Sequence, residues 1–233
     1  MLEPDGRVVM ITGANRGIGQ AIAAKLHRQG YTLSLGARDP ETLAGWRDER
    51  VMTAHFEATD KATHRIWVEA TAARFGRIDG LVNNAGVNGP FSIEDDRDDA
   101  IDAVWQVNVK APLSMIRLCL PMLRASGAGR IINVVSLSGK RVCNDNVAYN
   151  MSKFAALALT HSARRLGWAD GVRATALCPG LVRTDMTRGV TGHPAAEMID
   201  PADLAELAAT VLALPNTASV AELPVNCRLE DMV

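Results

Sequence analysis

Tyr149 and Lys153 stand four residues apart in Tyr149-Asn150-Met151-Ser152-Lys153, a stretch that reads as helical, so their side chains share one face. An ammonium held near a phenol favours the phenolate and draws a pKa that starts near ~10 toward neutrality, the requirement for a general acid or base. On its own the pair equally fits a solvated helix face. A second chemical candidate lies near the start of the chain. Thr12-Gly13-Ala14-Asn15-Arg16-Gly17-Ile18-Gly19 stands between an apolar run, Val8-Val9-Met10-Ile11, and a helical pattern from Ile18 to Leu26. A strand, a glycine turn and a helix start leave unpaired N–H groups and a positive dipole end, which attract phosphate. Gly13 would permit the tight turn, Gly17 the close approach of a ligand, and Gly19 the packing of helix on strand. The spacing G-x-x-x-G-x-G departs from the G-x-G-x-x-G fingerprint, so alone it also fits a glycine-rich turn of any α/β protein.

The next candidates fall where such a fold would need them. The strand Thr32–Gly36 ends at Ala37-Arg38-Asp39, close to twenty residues past the glycines, where a dinucleotide-binding fold meets the ribose next to adenine. A carboxylate there pairs with a 2′-hydroxyl and an arginine accommodates a 2′-phosphate. Arg38, with Arg16 in the glycine turn, could grip one phosphate from both sides, which favours NADP(H). Asp39 keeps NAD as the alternative, because a shift of one position reverses the preference, and two solvated arginines would look the same. Asn83-Asn84-Ala85-Gly86 follows the strand Gly80–Asn83, and its amides could tie neighbouring strand ends together, as could those of a plain Asn-rich turn. The buried run Arg130–Val135 delivers Ser136 to the same carboxyl edge. Asn108 sits inside a long helical pattern, an unfavourable place for a side chain that competes for backbone groups.

These residues need elements to hold them. Short β-rich runs at Arg7–Ile11, Thr32–Gly36, Met52–Phe56, Gly80–Asn83, Arg130–Val135, Arg173–Leu177 and Leu223–Val225 alternate with helical patterns, the signature of a parallel sheet covered on both faces. The 233 residues suit one domain, 1–233, with no repeats or linkers. With 48% hydrophobic and 22% charged residues the chain has the composition of a globular protein. A net charge of −1 argues against a nucleic-acid partner. No run is long enough to span a membrane, and the first residues lack a signal-peptide pattern, so a cytoplasmic protein is expected. Cys119, Cys143, Cys178 and Cys227 lack C-x-x-C spacing, and no metal site is expected. The acidic run from Glu94 to Asp99 reads as a solvated helix start.

Taken together, the motifs resemble the short-chain dehydrogenases/reductases of the single-domain type, from about Arg7 to Leu214. The resemblance implies an α/β, Rossmann-like, doubly wound parallel sheet of about seven strands with helices on both faces. It implies a catalytic quartet of Asn108, Ser136, Tyr149 and Lys153, with Ser136 preferred over Ser138 by its spacing to Tyr149. Cofactor contacts would come from Gly13, Asn15, Arg16, Gly17, Ile18, Gly19 and Arg38, from Glu57 and Ala58 after the third strand, and from Asn84, Ala85 and Gly86. Tyr149, Lys153, Pro179, Gly180, Val182 and Thr184 complete that set. Glu57 stands where the family usually has aspartate. The implied reaction is hydride transfer between NADP(H) and a small-molecule carbonyl or secondary alcohol. Tyr149 would exchange the proton, Ser136 orient the oxygen, Lys153 favour the phenolate and hold the ribose, and Asn108 hold a relay water. Substrate choice would lie in Asn88–Phe91, Val142–Asn146 and a lid within 181–200. The family also implies a homodimer or homotetramer through two long helices, here about Ala100–Met122 and Tyr149–Leu166. The tail from Asn226 to Val233 departs from the family's glycine-rich ending. A catalytically silent cofactor sensor or scaffold is the alternative function on the same fold.

Overall fold

The β-branched and apolar runs form β1 (Val8–Thr12), β2 (Thr32–Ala37), β3 (Val51–His55), β4 (Gly80–Asn83), β5 (Arg130–Val134), β6 (Arg173–Pro179) and β7 (Glu222–Val225). The computed structural model describes residues 1–46, 48–89, 91–190 and 192–229. Pro90 and Thr191, inside expected substrate segments, and residues 230–233 of the tail lie outside the described residues. All strand pairs are parallel, in the order β3-β2-β1-β4-β5-β6-β7. Winding therefore runs outward in opposite directions from β1 and β4, which opens a crevice at their carboxyl ends. This is the expected doubly wound, Rossmann-like sheet.

Helices α1 (Gly17–Arg28) and α6 (Pro201–Ala213) pack on one face, where Ile22, Leu26, Leu204 and Ala208 join Ile11 and Leu33 in one core. The other face carries α2 (Lys61–Phe75), α4 (Ala111–Ala125) and α5 (Val147–Gly167), with Trp67, Met115, Ile116 and Cys119 against Met10 and Leu81. The helix expected over Ala100–Met122 is three pieces: α3 (Asp98–Trp105), a π-helical segment Gln106–Lys110, and α4. Pro112 supplies the physical reason. It has no N–H to offer the carbonyl four residues earlier, and the backbone widens there into a π turn that re-aims Asn108. The helix expected over Tyr149–Leu166 extends slightly at both ends.

At the opposite, amino-terminal edge, Arg130 is 2% exposed and donates to the carbonyls of Gly129, Gly171 and Leu214 and to Asn216 Oδ1. Burial, with Arg7 and Arg173 nearby, pushes its pKa down to about 10. One guanidinium thus ties β5 to the turn before β6 and to the end of α6. Within the core, Trp67 Nε1 donates to Ser34 Oγ at 2.8 Å, and Ser34 Oγ and Thr71 Oγ1 lie 2.8 Å apart, all fully buried. Ser34→Ala leaves the indole N–H buried without a partner, which costs about 1–3 kcal/mol. Urea denaturation should show a lower midpoint with an unchanged slope.

Candidate active site

The glycine turn and the Asn83–Gly86 segment interlock. Thr12 Oγ1 accepts from the Asn84 N–H at 2.9 Å and the Ala85 N–H at 3.0 Å, while Asn84 Nδ2 donates to the carbonyls of Thr12 and Gly13, both at 3.0 Å. The need for glycine at Gly19 follows from this: a Cβ there would lie 2.4 Å from Asn84 Nδ2 and from Gly13 O. The close neighbour is the Asn84 amide, in addition to the strand named from the sequence. Gly17 has φ +55°, a left-handed conformation that side chains rarely adopt. The N-cap residue Arg16 makes no side-chain cap bond, whereas Asp60, Asn146 and Asp200 cap α2, α5 and α6. The first N–H groups of α1 therefore remain open to an anion, which fits a pyrophosphate.

Beside this turn the four expected quartet residues converge. A Cβ built on Gly86 would lie 3.3 Å from Asn108 Oδ1 and 3.8 Å from Lys153 Nζ. Asn108 accepts from the Val87 N–H at 2.9 Å and donates to Val87 O at 2.9 Å and Ser152 Oγ at 3.0 Å. Its amide serves the loop after β4. Ser136 Oγ caps the short 3-10 turn Leu137–Gly139 by accepting from the Ser138 N–H at 3.1 Å, and it also hydrogen-bonds Tyr149. Lys153 Nζ donates to Val134 O at 3.0 Å and lies 5.4 Å from the Tyr149 ring centre. Asn83, Asn133 and Thr160 form a buried relay from β4 through β5 to α5, with both links at 2.8 Å.

Further residues position the site through contacts that the sequence analysis did not assign to them. Asn146 caps α5 by accepting from Tyr149's own N–H at 3.3 Å, and its amide donates to Asn88 Oδ1 across the cleft. His64, fully buried, donates from Nε2 to Glu57 O and accepts at Nδ1 from Ser114, both at 3.0 Å, which fixes the Glu57-Ala58 loop. Glu57 Oε1 accepts from the Thr59 N–H and hydroxyl, both at 3.1 Å, so that oxygen caps its own loop. Arg38 follows the last residue of β2 and is exposed, while Asp39 Oδ1 caps the turn after it by accepting from the Glu41 N–H at 3.0 Å. Arg16 is turned toward Asp185 Oδ2 at 3.3 Å.

Pro179 ends β6 and Gly180 follows it, with Gly180 N–H on Val225 O at 2.8 Å. Val182 pairs with Ile199, closing the base of the expected lid. Thr184 faces Gly17, its Cγ2 3.2 Å from a Cβ built there. An open groove of about 1210 Å³ runs from Arg16 and Gly17 past Thr184 to His193 and Met198. Among the described residues no cluster of His, Cys, Asp and Glu could hold a metal, and no helix is long and apolar enough to cross a membrane.

The electrostatics correct one expectation. Lys153 does not hold the Tyr149 phenol down; burial pushes Tyr149 up, and the Ser136 hydrogen bond acts the other way. Burial likewise pushes Lys153 down to about 8. For both groups the loss of water around the charged form is the leading cause.

A model of the short chain dehydrogenase family matches residues 7–194. The chain is 43% identical over 229 residues to an agropine synthesis reductase of Rhizobium rhizogenes, covering 97% of this chain and 53% of that protein. The chain thus spans about half the length of that relative. It is 35% identical to an uncharacterized oxidoreductase of Staphylococcus saprophyticus, over 97% of this chain and 99% of that one. Among solved structures it resembles an alcohol dehydrogenase from the archaeon Thermococcus sibiricus complexed with 5-hydroxy-NADP, with a TM-score of 0.86 and 30% identity over 94% of this chain and 95% of that one. A 3-ketoacyl-(acyl-carrier-protein) reductase from Brucella melitensis complexed with NADH superposes with a TM-score of 0.87 at 26% identity, over 96% of this chain and 98% of that one.

One consequence of the buried ammonium concerns stability. Between pH about 8 and 10.5 Lys153 holds fewer protons in the folded than in the unfolded chain. Its burial therefore weakens the fold below that window, and the penalty fades as pH rises through it. Lys153→Met should raise the thermal midpoint at pH 7 by relieving a penalty on the order of 3 kcal/mol, at about 1.4 kcal/mol per pKa unit. The gain should vanish near pH 10.5, as thermal scans at the two pH values would read.

Proposed function

Because this chain belongs to the short chain dehydrogenase family of oxidoreductases, we propose that it transfers a hydride between NADP(H) and a carbonyl or secondary alcohol through Ser136, Tyr149 and Lys153. The observation that carries this reading is the convergence of Asn108, Lys153 and Gly86 beside Ser136 and Tyr149. A bound nicotinamide supplies or accepts the hydride. The Ser136 hydroxyl donates to the substrate oxygen and fixes the carbon that reacts. Tyr149 gives its phenolic proton to that oxygen in reduction and takes it back in oxidation. Lys153 holds the ribose hydroxyls, while Asn108 keeps the loop after β4 in register and orients a relay water. The expected loss for Tyr149→Phe is about 10²–10⁴-fold in kcat, with cofactor affinity retained. A carbonyl panel with stopped-flow absorbance of NADPH checks it.

The preference for NADP(H) is supported by the ends of β2 and α1. Arg38 directly follows Ala37, the last residue of β2, and the neighbouring acid Asp39 has an oxygen committed to a backbone cap. Arg16 can leave Asp185 for a phosphate at small cost, since the pair is largely exposed, with side-chain exposures of 65% and 46%. Arg38→Ala should weaken NADPH at least ~10-fold, about 1.4 kcal/mol, and leave NADH within about twofold, as read by fluorescence titration. Equal losses for the two cofactors would remove the phosphate contact from the scheme. The exposed apolar side chains Met151, Phe154 and Leu166 on α5 support homo-oligomerisation through that helix.

A further inference from the structure

Tyr149 is held at both of its backbone groups, and the two holds are the ends of one closed circuit. Its N–H donates to Asn146 Oδ1 at 3.3 Å. With that oxygen on a backbone donor, the other amide atom of Asn146 is Nδ2, which donates to Asn88 Oδ1. Asn88 follows Val87, whose N–H and carbonyl are both bonded to the Asn108 side chain, each at 2.9 Å. Asn108 Nδ2 also donates to Ser152 Oγ at 3.0 Å, and the Ser152 hydroxyl donates to Tyr149 O at 2.8 Å. Every donor in the circuit meets an acceptor with no amide reversed.

The two arms of the circuit differ. Asn108 and Ser152 are buried, whereas Asn146 is half-buried and Asn88 exposed. The open arm has a second stitch, because the Val147 N–H donates to Phe91 O at 2.8 Å. Phe91 in turn folds over Gly89, where a Cβ would lie 2.4 Å from the ring, and the Arg97 guanidinium stacks on that ring at 4.3 Å. The loop that carries Asn88 is therefore a fixed support for the start of α5.

We propose that Asn146 is a positioning residue for Tyr149 and that Asn88 is its anchor on the facing wall of the cleft. This rests on the reading of Tyr149 as the acid and base of a carbonyl–alcohol oxidoreductase and deepens it. Tyr149 is the third residue of α5, inside the first turn, where backbone N–H groups have no helical acceptor. What fixes the tyrosine along the helix axis at that end is the Asn146 oxygen. The phenol must meet Ser136 on a different element, and a misplacement of about 1 Å costs on the order of 10²-fold in rate. An N-cap amide bonded only to the helix can turn about its own side-chain torsions. Asn88 holds the far atom of that amide, so the oxygen stays on the Tyr149 N–H, and Asn88 acts on the phenol through Asn146.

Single-turnover reduction, by enzyme-bound NADPH, of the fastest ketone in a carbonyl panel tests this in Asn88→Ala, Asn146→Ser and Asn146→Ala. Serine keeps a capping oxygen but is too short to reach Asn88, and Asn88→Ala leaves the whole cap in place. These two should each slow the chemical step about three- to tenfold, and Asn146→Ala at least ~10-fold, with the ketone KM within about twofold of wild type. Adding Asn88→Ala to Asn146→Ala should cost nothing further, since both act through one link. Wild-type rates in Asn88→Ala and Asn146→Ser would reduce Asn146 to a plain helix cap, losses confined to KM would make it a substrate contact, and additive losses would break the link; each overturns the proposal. Should Asn146→Ala not fold, the other two variants decide. A spectroscopic readout stands apart from turnover. Tyr31 and Tyr149 are the two tyrosines of the chain, so ζ-13C-tyrosine labelling gives two resonances, assigned with Tyr149→Phe. The Tyr149 resonance should move in Asn88→Ala while that of Tyr31 stays, and an unmoved Tyr149 resonance overturns the proposal. Wild type that reduces no ketone strikes instead at the oxidoreductase reading, and the resonance alone then decides whether Asn88 positions the phenol.

Discussion

The interlock between Thr12 and Asn84 is the contact on which the rest of the carboxyl edge depends. β1 and β4 are neighbours at the point where the winding of the sheet reverses, so their ends would splay apart without a bridge. One hydroxyl and one amide supply four hydrogen bonds across that gap. They hold the glycine turn closed, and that turn sets where the open N–H groups of α1 point. The same segment then passes Gly86 and Val87 to Asn108, so the phosphate end and the chemical end of the crevice share one rigid strip. Gly19 is spared a side chain because the Asn84 amide occupies its place.

Burial governs the electrostatics around that strip. Lys153 and Tyr149 are both displaced toward their neutral forms, and His64 is held down chiefly by burial as well. A site that keeps its ionisable groups near neutrality responds strongly to any charge that enters, because the low-dielectric walls screen little. A ribose hydroxyl or a developing alkoxide would therefore find donors already oriented and poorly solvated, a condition for electrostatic catalysis. The positioning groups follow the same logic. Ser152 and Thr160 spend polar atoms on other buried groups and Asn146 caps the helix start, so the catalytic helix is located by satisfied bonds rather than by helix propensity alone.

The mouth of the crevice is built differently. Arg16, Asp185, Arg188, Arg183 and Asp200 form exposed pairs, each of which exchanges partners at a cost of about 1 kcal/mol or less. The lid is pinned at its base, where Val182 and Ile199 pair and the Arg183 N–H meets Ile199 O at 2.9 Å. A rigid floor under a weakly tethered roof is the arrangement that lets a long cofactor enter and a substrate be enclosed afterward.

Periodicity and motif chemistry, both local properties, were readable from the residues alone. The alternation of β-rich and helical runs determined the doubly wound sheet, because parallel strands need crossovers and both faces need cover. The glycine turn, Asn83–Gly86, and the pair Tyr149 and Lys153 were legible because each works through neighbours in sequence. Tertiary structure alone decided the rest, since it depends on groups far apart in the chain meeting out of water. The burial that reverses the expected direction for Tyr149, the relay from Asn83 through Asn133 to Thr160, and the clamp at Arg130 all arise this way. Asp39 illustrates the boundary. Its type and position suggested a ribose partner, but the turn after β2 draws its oxygen onto the Glu41 N–H. An exposed carboxylate takes whichever donor the folded backbone brings nearest, and only the folded chain determines which donor that is.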